Sequence, residues 1–158
     1  MIALYRGKSR ISRGIRWQTR GPYSHAAWLC SDGSVYESWH RGGVVHSESV
    51  GSIHTPGTEV DLFAVQVDNA QVERFLESQL GKHYDWRAIM GFVSRCPQLA
   101  DEQDKWFCSE LVFAACAFAG VGLFRLGKPE PVRAWEVSPS KLAWSNELIY
   151  QRREITGG

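Results

Sequence analysis

The apolar residues of this chain change their spacing once, close to residue 68, and that change constrains the fold more than any other feature. Ahead of it lie short β-type runs at residues 2–5, 23–30, 34–39, 44–46 and 59–67. Asp32-Gly33 stands between the second and third runs as a hairpin signal. One amphipathic helix interrupts them at residues 9–18, where Ile11 and Ile15 sit among arginines. Beyond residue 68 the period lengthens. Val72, Phe75, Leu76 and Leu80 follow helical spacing, so a helix is expected over residues 69–80 with Gly81 as its cap. A second helical segment is expected at 86–94, then a polar loop over 96–105. A helix apolar nearly all round follows at 108–119 and closes at Gly120. A short helix starting at Ser138-Pro139 and a return strand at 148–152 complete the chain. Strands first and helices after, within 158 residues, predict one domain (1–158) of α+β class with a mostly antiparallel sheet.

The bulk numbers exclude several function classes. Hydrophobic residues make up 44%, charged residues 22%, and the formal net charge is +1. That balance gives no overall pull toward nucleic acid or an anionic membrane. No apolar stretch approaches the roughly 18 residues of a membrane span, and no signal peptide is visible, so a cytoplasmic location is the default expectation. Cys30, Cys96, Cys108 and Cys116 show no CxxC spacing, and the five histidines match no helix or knuckle pattern. No metal and no cofactor are therefore expected, and the cysteines read as reduced.

The chemistry concentrates at Trp106-Phe107-Cys108-Ser109-Glu110-Leu111-Val112. A polar loop ends there and an apolar helix begins, which puts Cys108 in the first turn. Unpaired N–H groups and the helix dipole favour an anion at that place, so Cys108 is the candidate nucleophile. The competing interpretation is a small buried core thiol, which is how Cys116 reads. A nucleophilic thiol needs a base, and His25 stands in the apolar strand Tyr23-Ser24-His25-Ala26-Ala27-Trp28-Leu29. The base in turn needs an orienting acceptor. Glu37, on the next strand, is the candidate, but the hairpin decides. A two-residue turn puts His25 on the face of Ser38 and His40. An odd-numbered loop puts it on the face of Glu37. The oxyanion site draws on the Cys108 N–H, and Tyr84 in Gly81-Lys82-His83-Tyr84-Asp85-Trp86 is a candidate second donor.

In this order, SHAAWL, VYES, GKHYDW, FCSELVFAA and VSPSKLA, the chain resembles the permuted branch of the NlpC/P60 superfamily, the YiiX/YaeF-like papain-fold hydrolases. The resemblance covers roughly residues 20–145. It implies a circularly permuted papain-like fold with Cys108 as nucleophile and His25 as base. It also implies Glu37 in the third polar position and Tyr84 near the oxyanion. The chain departs from the family in lacking a Gly-Asp-rich opening, a secretion signal and a lipid-attachment cysteine. The Asn-Cys-Glu signature of lecithin:retinol-acyltransferase-like relatives is absent too. The expected function is a cysteine amidase or peptidase working through a thioester on a cell-wall peptide or an amino-acid or lipid amide. The alternatives are an acyltransferase or thioesterase on lipid substrates, and a catalytically silent binding module. The loops at 51–58 and 123–133 are expected to shape the groove, with no residue in them declaring a ligand. The expected partner is a small-molecule or peptide amide, with no nucleic acid and no integral membrane segment.

Overall fold

A computed structural model describes residues 1–85, 105–124, 132 and 134–157. The expected helix at 86–94 and most of the expected loop at 96–105 lie outside the described residues.

Eight strands and four α-helices follow one another along the described residues. The strands are β1 (Ile2–Tyr5), β2 (His25–Leu29), β3 (Val35–Trp39), β4 (Gly43–Ser47), β5 (Glu59–Val65), β6 (His83–Tyr84), β7 (Lys105–Trp106) and β8 (Leu148–Ile155). The helices are α1 (Arg10–Thr19), α2 (Asn69–Ser78), α3 (Cys108–Phe118) and α4 (Pro139–Leu142), with a 3-10 turn at Ala134–Glu136. Six strands form one sheet in the order β4-β3-β2-β1-β5-β8. Every neighbouring pair in it is antiparallel. The short pair β6–β7 is parallel. Lys105, expected in a loop, is therefore a strand residue.

β1 is short but central. All its residues are buried because both faces of the sheet are covered there. One face carries Ile2, Leu4, Ala26, Trp28, Tyr36 and Phe63 against Leu111, Val112, Ala115 and Cys116 of α3 and Val72 and Leu76 of α2. The other carries Ala3, Tyr5, Ala27, Leu29, Val35, Val60 and Leu62. Cys116 is thus core, as expected, and so is Trp28. β8 runs longer than expected and lies mostly exposed at the sheet edge. It is broken in register opposite Leu62 and Phe63 and carries Arg152, Arg153 and Glu154, devices that discourage strand addition.

Helix ends follow local chemistry. Asp68 caps α2 by accepting the N–H groups of Ala70 at 3.0 Å and Gln71 at 3.3 Å. Ser138 caps α4 by accepting from the N–H of Lys141 at 3.2 Å, and Pro139 takes the first helical position.

Candidate functional site

The hairpin between β2 and β3 closes through Ser31, Asp32 and Gly33. The Cys30 N–H donates to the Ser34 carbonyl at 2.9 Å, and the Gly33 N–H donates to the Cys30 carbonyl at 3.3 Å. Gly33 has φ of +91°, a conformation that needs glycine. Three loop residues are an odd number, so the open question of register resolves toward Glu37. The side chains meet: His25 Nε2 lies 2.7 Å from Glu37 Oε2. Ser38 and His40 are differently engaged. The Ser38 hydroxyl donates to the Trp106 carbonyl at 2.6 Å, and His40 leans on Trp39 at 4.6 Å between ring centroids.

Glu37 is fully buried. Its Oε2 accepts from His25 and also from His54 Nε2 at 2.9 Å, and its Oε1 accepts from the Ser47 hydroxyl at 3.2 Å. Burial pushes this carboxyl up, but the hydrogen bonds from His25 and His54 outweigh it and hold it down at about 2. Burial also dominates at His25 and lowers its pKa, against the opposing pull of Glu37. Near neutral pH the pair is therefore an ionised carboxylate beside a neutral imidazole. A carboxylate only accepts, so the Nε2 of His25 carries the proton and Nδ1 keeps its lone pair as the basic nitrogen.

His54 is one of the five histidines that could serve as a base, but strand placement favours His25, and nothing in the sequence of the loop at 51–58 declares His54 a ligand. Its ring stacks on Tyr5 at 3.9 Å and meets the edge of Trp39 at 4.9 Å. Trp39 and Tyr5 also flank His25, at 5.4 and 5.3 Å. A histidine in an irregular loop carries no period to mark it, and only folding brings it to Glu37.

β2 and β3 pair only at Trp28↔Tyr36 and Leu29↔Val35. Beyond that they part, and the start of α3 fills the wedge. Ser38 on one side reaches Trp106, and the Ala26 N–H on the other points at the sulfur of Cys108. Cys108 opens α3 after Phe107, whose N–H donates to Glu110 at 3.2 Å. Its residue exposure is only 1%. Burial pushes the thiol up to about 12, against the N–H groups of Ala26, Ser109 and Cys108 itself, which favour the thiolate. The thiolate character expected from a helix start is thus outweighed at rest by desolvation.

Tyr84 ends β6 and packs with Phe107 and Cys108. Burial, then the neighbouring Cys108, raises its pKa well above the ordinary phenol value, so it stays a hydroxyl donor. A pocket opens over His25, walled by Ser24, Ser38, Trp39, His40 and Tyr84 and by Ile11 and Ile15 from α1. Cys108 lies behind this wall, against Tyr84. Trp39 lines the pocket, and Trp106 donates its indole N–H to Gln79 at 3.1 Å.

The described residues also hold one cluster able to ligate a metal ion. The donor atoms of His25, Glu37 and His54 lie within 4.8 Å of one another. Spacing along the sequence does not foretell it, because the three residues come from two strands and a loop.

No family model matches the chain, and no curated protein matches it. Among solved structures the chain is similar to the crystal structure of metalloprotein yiiX from Escherichia coli O157:H7, DUF1105, with a TM-score of 0.66 at 18% identity. The match covers 97% of this chain and 95% of that one. At that identity the likeness shows the fold: α+β, papain-like, with helices on a six-stranded antiparallel sheet.

Proposed function

We propose that this chain is a cysteine hydrolase of the permuted NlpC/P60 type, an amidase or peptidase. The buried Glu37–His25 contact of 2.7 Å, beside the wedge that holds Cys108, carries this reading. In it, Nδ1 of His25 takes the thiol proton as Cys108 Sγ attacks the carbonyl carbon of an amide. The resting thiol is neutral, so proton removal accompanies attack instead of preceding it. The N–H of Cys108 and the hydroxyl of Tyr84 stabilise the oxyanion. The imidazolium returns its proton to the leaving amine, giving a thioester. Water, deprotonated by His25, then releases the acid and restores the thiol. Glu37 holds the ring and stabilises its cation. Cell-wall stem peptides and amino-acid or lipid amides are the substrate classes that the family resemblance suggests. An acceptor alcohol or amine in place of water would make the same thioester an acyl-transfer intermediate.

The test is a mass-spectrometric screen of stem-peptide and N-acyl amino-acid amides against the intact protein and Cys108→Ala. An acyl adduct on Cys108 and free acid in solution support the reading. Turnover that survives Cys108→Ala overturns it.

A second reading is favoured by the cluster of two imidazoles and one carboxylate, and by the description of the similar yiiX structure as that of a metalloprotein. The donor set fits a divalent transition metal such as zinc. His25, Glu37 and His54 would hold it, the imidazoles giving up their Nε2 protons. Such an ion supplies Lewis-acid polarisation or a bound water of lowered pKa. Tyr5 and Trp39, packed on the imidazoles, would fix the ligand ring planes. Elemental analysis of the purified protein separates the readings. One zinc per chain, lost in His54→Ala, supports the metal site. Full activity in metal-free protein supports the thiol alone.

A further inference from the structure

The near-zero net charge conceals a strong local asymmetry. Between Met1 and Ser31 there is no acidic residue, yet Arg6, Lys8, Arg10, Arg13, Arg16 and Arg20 all fall there. Arg6 is committed to Asp61 and Glu59. Among the described residues, Arg10, Arg13, Arg16 and Arg20 make no ion pair.

These four arginines belong to α1 and its cap. The helix is well defined, with Ser9 accepting from the Ser12 N–H at 3.1 Å and Arg20 closing its end in a left-handed conformation. Yet it has no buried residue. A helix repeats every ~3.6 residues, so Ile11 and Ile15 share one side, the side that walls the pocket over His25. Arg10, Arg13, Trp17 and Arg20 take the opposite side. Trp17 stands among these cations with 80% of its surface exposed. A second bare indole, Trp144, is 72% exposed just after α4. Ser140 of α4 bonds the Tyr23 backbone at 3.0 Å and so abuts the turn that ends α1.

We infer that α1 docks the protein on an anionic lipid surface, with Trp17 seated at headgroup level and the arginines on the headgroup phosphates. A short helix lying on the body, basic on its outer side with an indole among the cations, has the chemistry of an interfacial anchor. A nucleic-acid track would need successive stacking platforms along a groove, and α1 carries a single indole, Trp17. The docked pose brings the inner side of α1, and with it the pocket mouth, to the lipid boundary. The orientation of the pocket mouth rests on the hydrolase reading and points it to lipid-borne amides. The docking itself does not depend on turnover.

The experiment is co-sedimentation of full-length Cys108→Ala protein with vesicles of phosphatidylcholine alone, or of phosphatidylcholine and phosphatidylglycerol in equal parts. Binding to the anionic vesicles, weakened by salt and nearly absent on the neutral ones, is expected. Arg10→Gln with Arg13→Gln should weaken it about 30-fold, from the usual contribution of each basic residue near such a surface. Trp17→Ala should weaken it further, with the far-ultraviolet circular dichroism unchanged in both. Equal partition to the two vesicle types overturns the inference, as does retention of binding in the double variant. Tighter binding to a single-stranded oligonucleotide that displaces the vesicles also overturns it, in favour of a nucleic-acid surface. Vesicle binding without turnover of any amide by the parent protein would count against the hydrolase reading alone.

Discussion

His54 places its Nε2 at 2.9 Å from Glu37 Oε2, the same oxygen that His25 Nε2 reaches at 2.7 Å. One buried carboxylate thus orders two imidazoles. Only His25 adjoins Ala26, whose N–H reaches the thiol. His54 serves as a clamp on Glu37 in the thiol reading and as a ligand in the metal reading.

Removing that clamp separates the roles. His54→Ala leaves Glu37 with one fewer donor in a buried site, so stability should fall by about 1–3 kcal/mol in urea unfolding. In the thiol reading kcat falls modestly in His54→Ala and collapses in His25→Ala. In the metal reading both variants lose zinc and activity together.

Glu37→Gln tests the tautomer. A glutamine amide can donate to Nε2, which would move the imidazole proton to Nδ1 and block the base. A loss in kcat of at least about 10²-fold is expected, by analogy with the value of a general base. Steady-state kinetics with an unchanged KM would assign the loss to chemistry.

The pH profile has a definite sign. Burial lowers the pKa of His25 from 6.5, so the neutral base persists into mildly acid solution. The acid limb of kcat/KM should therefore lie below that of an ordinary histidine. In stability the same depression means the unfolded chain binds the proton more readily. His25 then costs stability as pH falls through 6.5. Nuclear magnetic resonance titration of the His25 ring protons checks both statements.

Asp61 sets the acid limit of the sheet. It is buried between Arg153 at 2.7 Å, Tyr23 at 2.7 Å and Arg6 at 3.0 Å. Burial opposes its ionisation, but these partners hold its carboxyl down from 3.8 to about 2. The depressed value contributes about 2 kcal/mol above pH 3.8, lost as pH falls toward 2. Asp61→Asn should be destabilised at neutral pH and show a flatter acid denaturation curve.

Gly43 ties β4 to the segment that carries Tyr84. Val44 bonds that segment twice: its N–H donates to the Lys82 carbonyl at 2.8 Å, and its carbonyl accepts from the Gly81 N–H at 3.0 Å. Gly43 has φ of +71°, and an added Cβ would collide with the Lys82 carbonyl. Gly43→Ala should cost on the order of 1–3 kcal/mol and blunt activity by displacing Tyr84. Thermal unfolding and turnover on the same preparation check both.

Much of the fold was legible because period and punctuation are local. The alternation before residue 68, the turn signal Asp32-Gly33 and Pro139 at a helix start each act within a few residues of themselves. Cys108 at a helix start and His25 on a strand could be named for the same reason. The exposed arginines of α1 were legible as charges, but their lack of partners was not.

Three decisions belonged to the tertiary structure. Sequence allowed either hairpin parity, and the three-residue loop with Gly33 at positive φ chose the face that Glu37 shares with His25. Sequence suggested an anion at Cys108, and packing against Tyr84 and Phe107 removed the water that would stabilise one. Sequence favoured His25 among five histidines for its place on a strand, and the stacking of a loop residue on Tyr5 brought His54 to Glu37 as well. Residue types and spacing determined the elements and the reagents. Desolvation and long-range contact, which exist only once the chain has closed on itself, decided their protonation and their company.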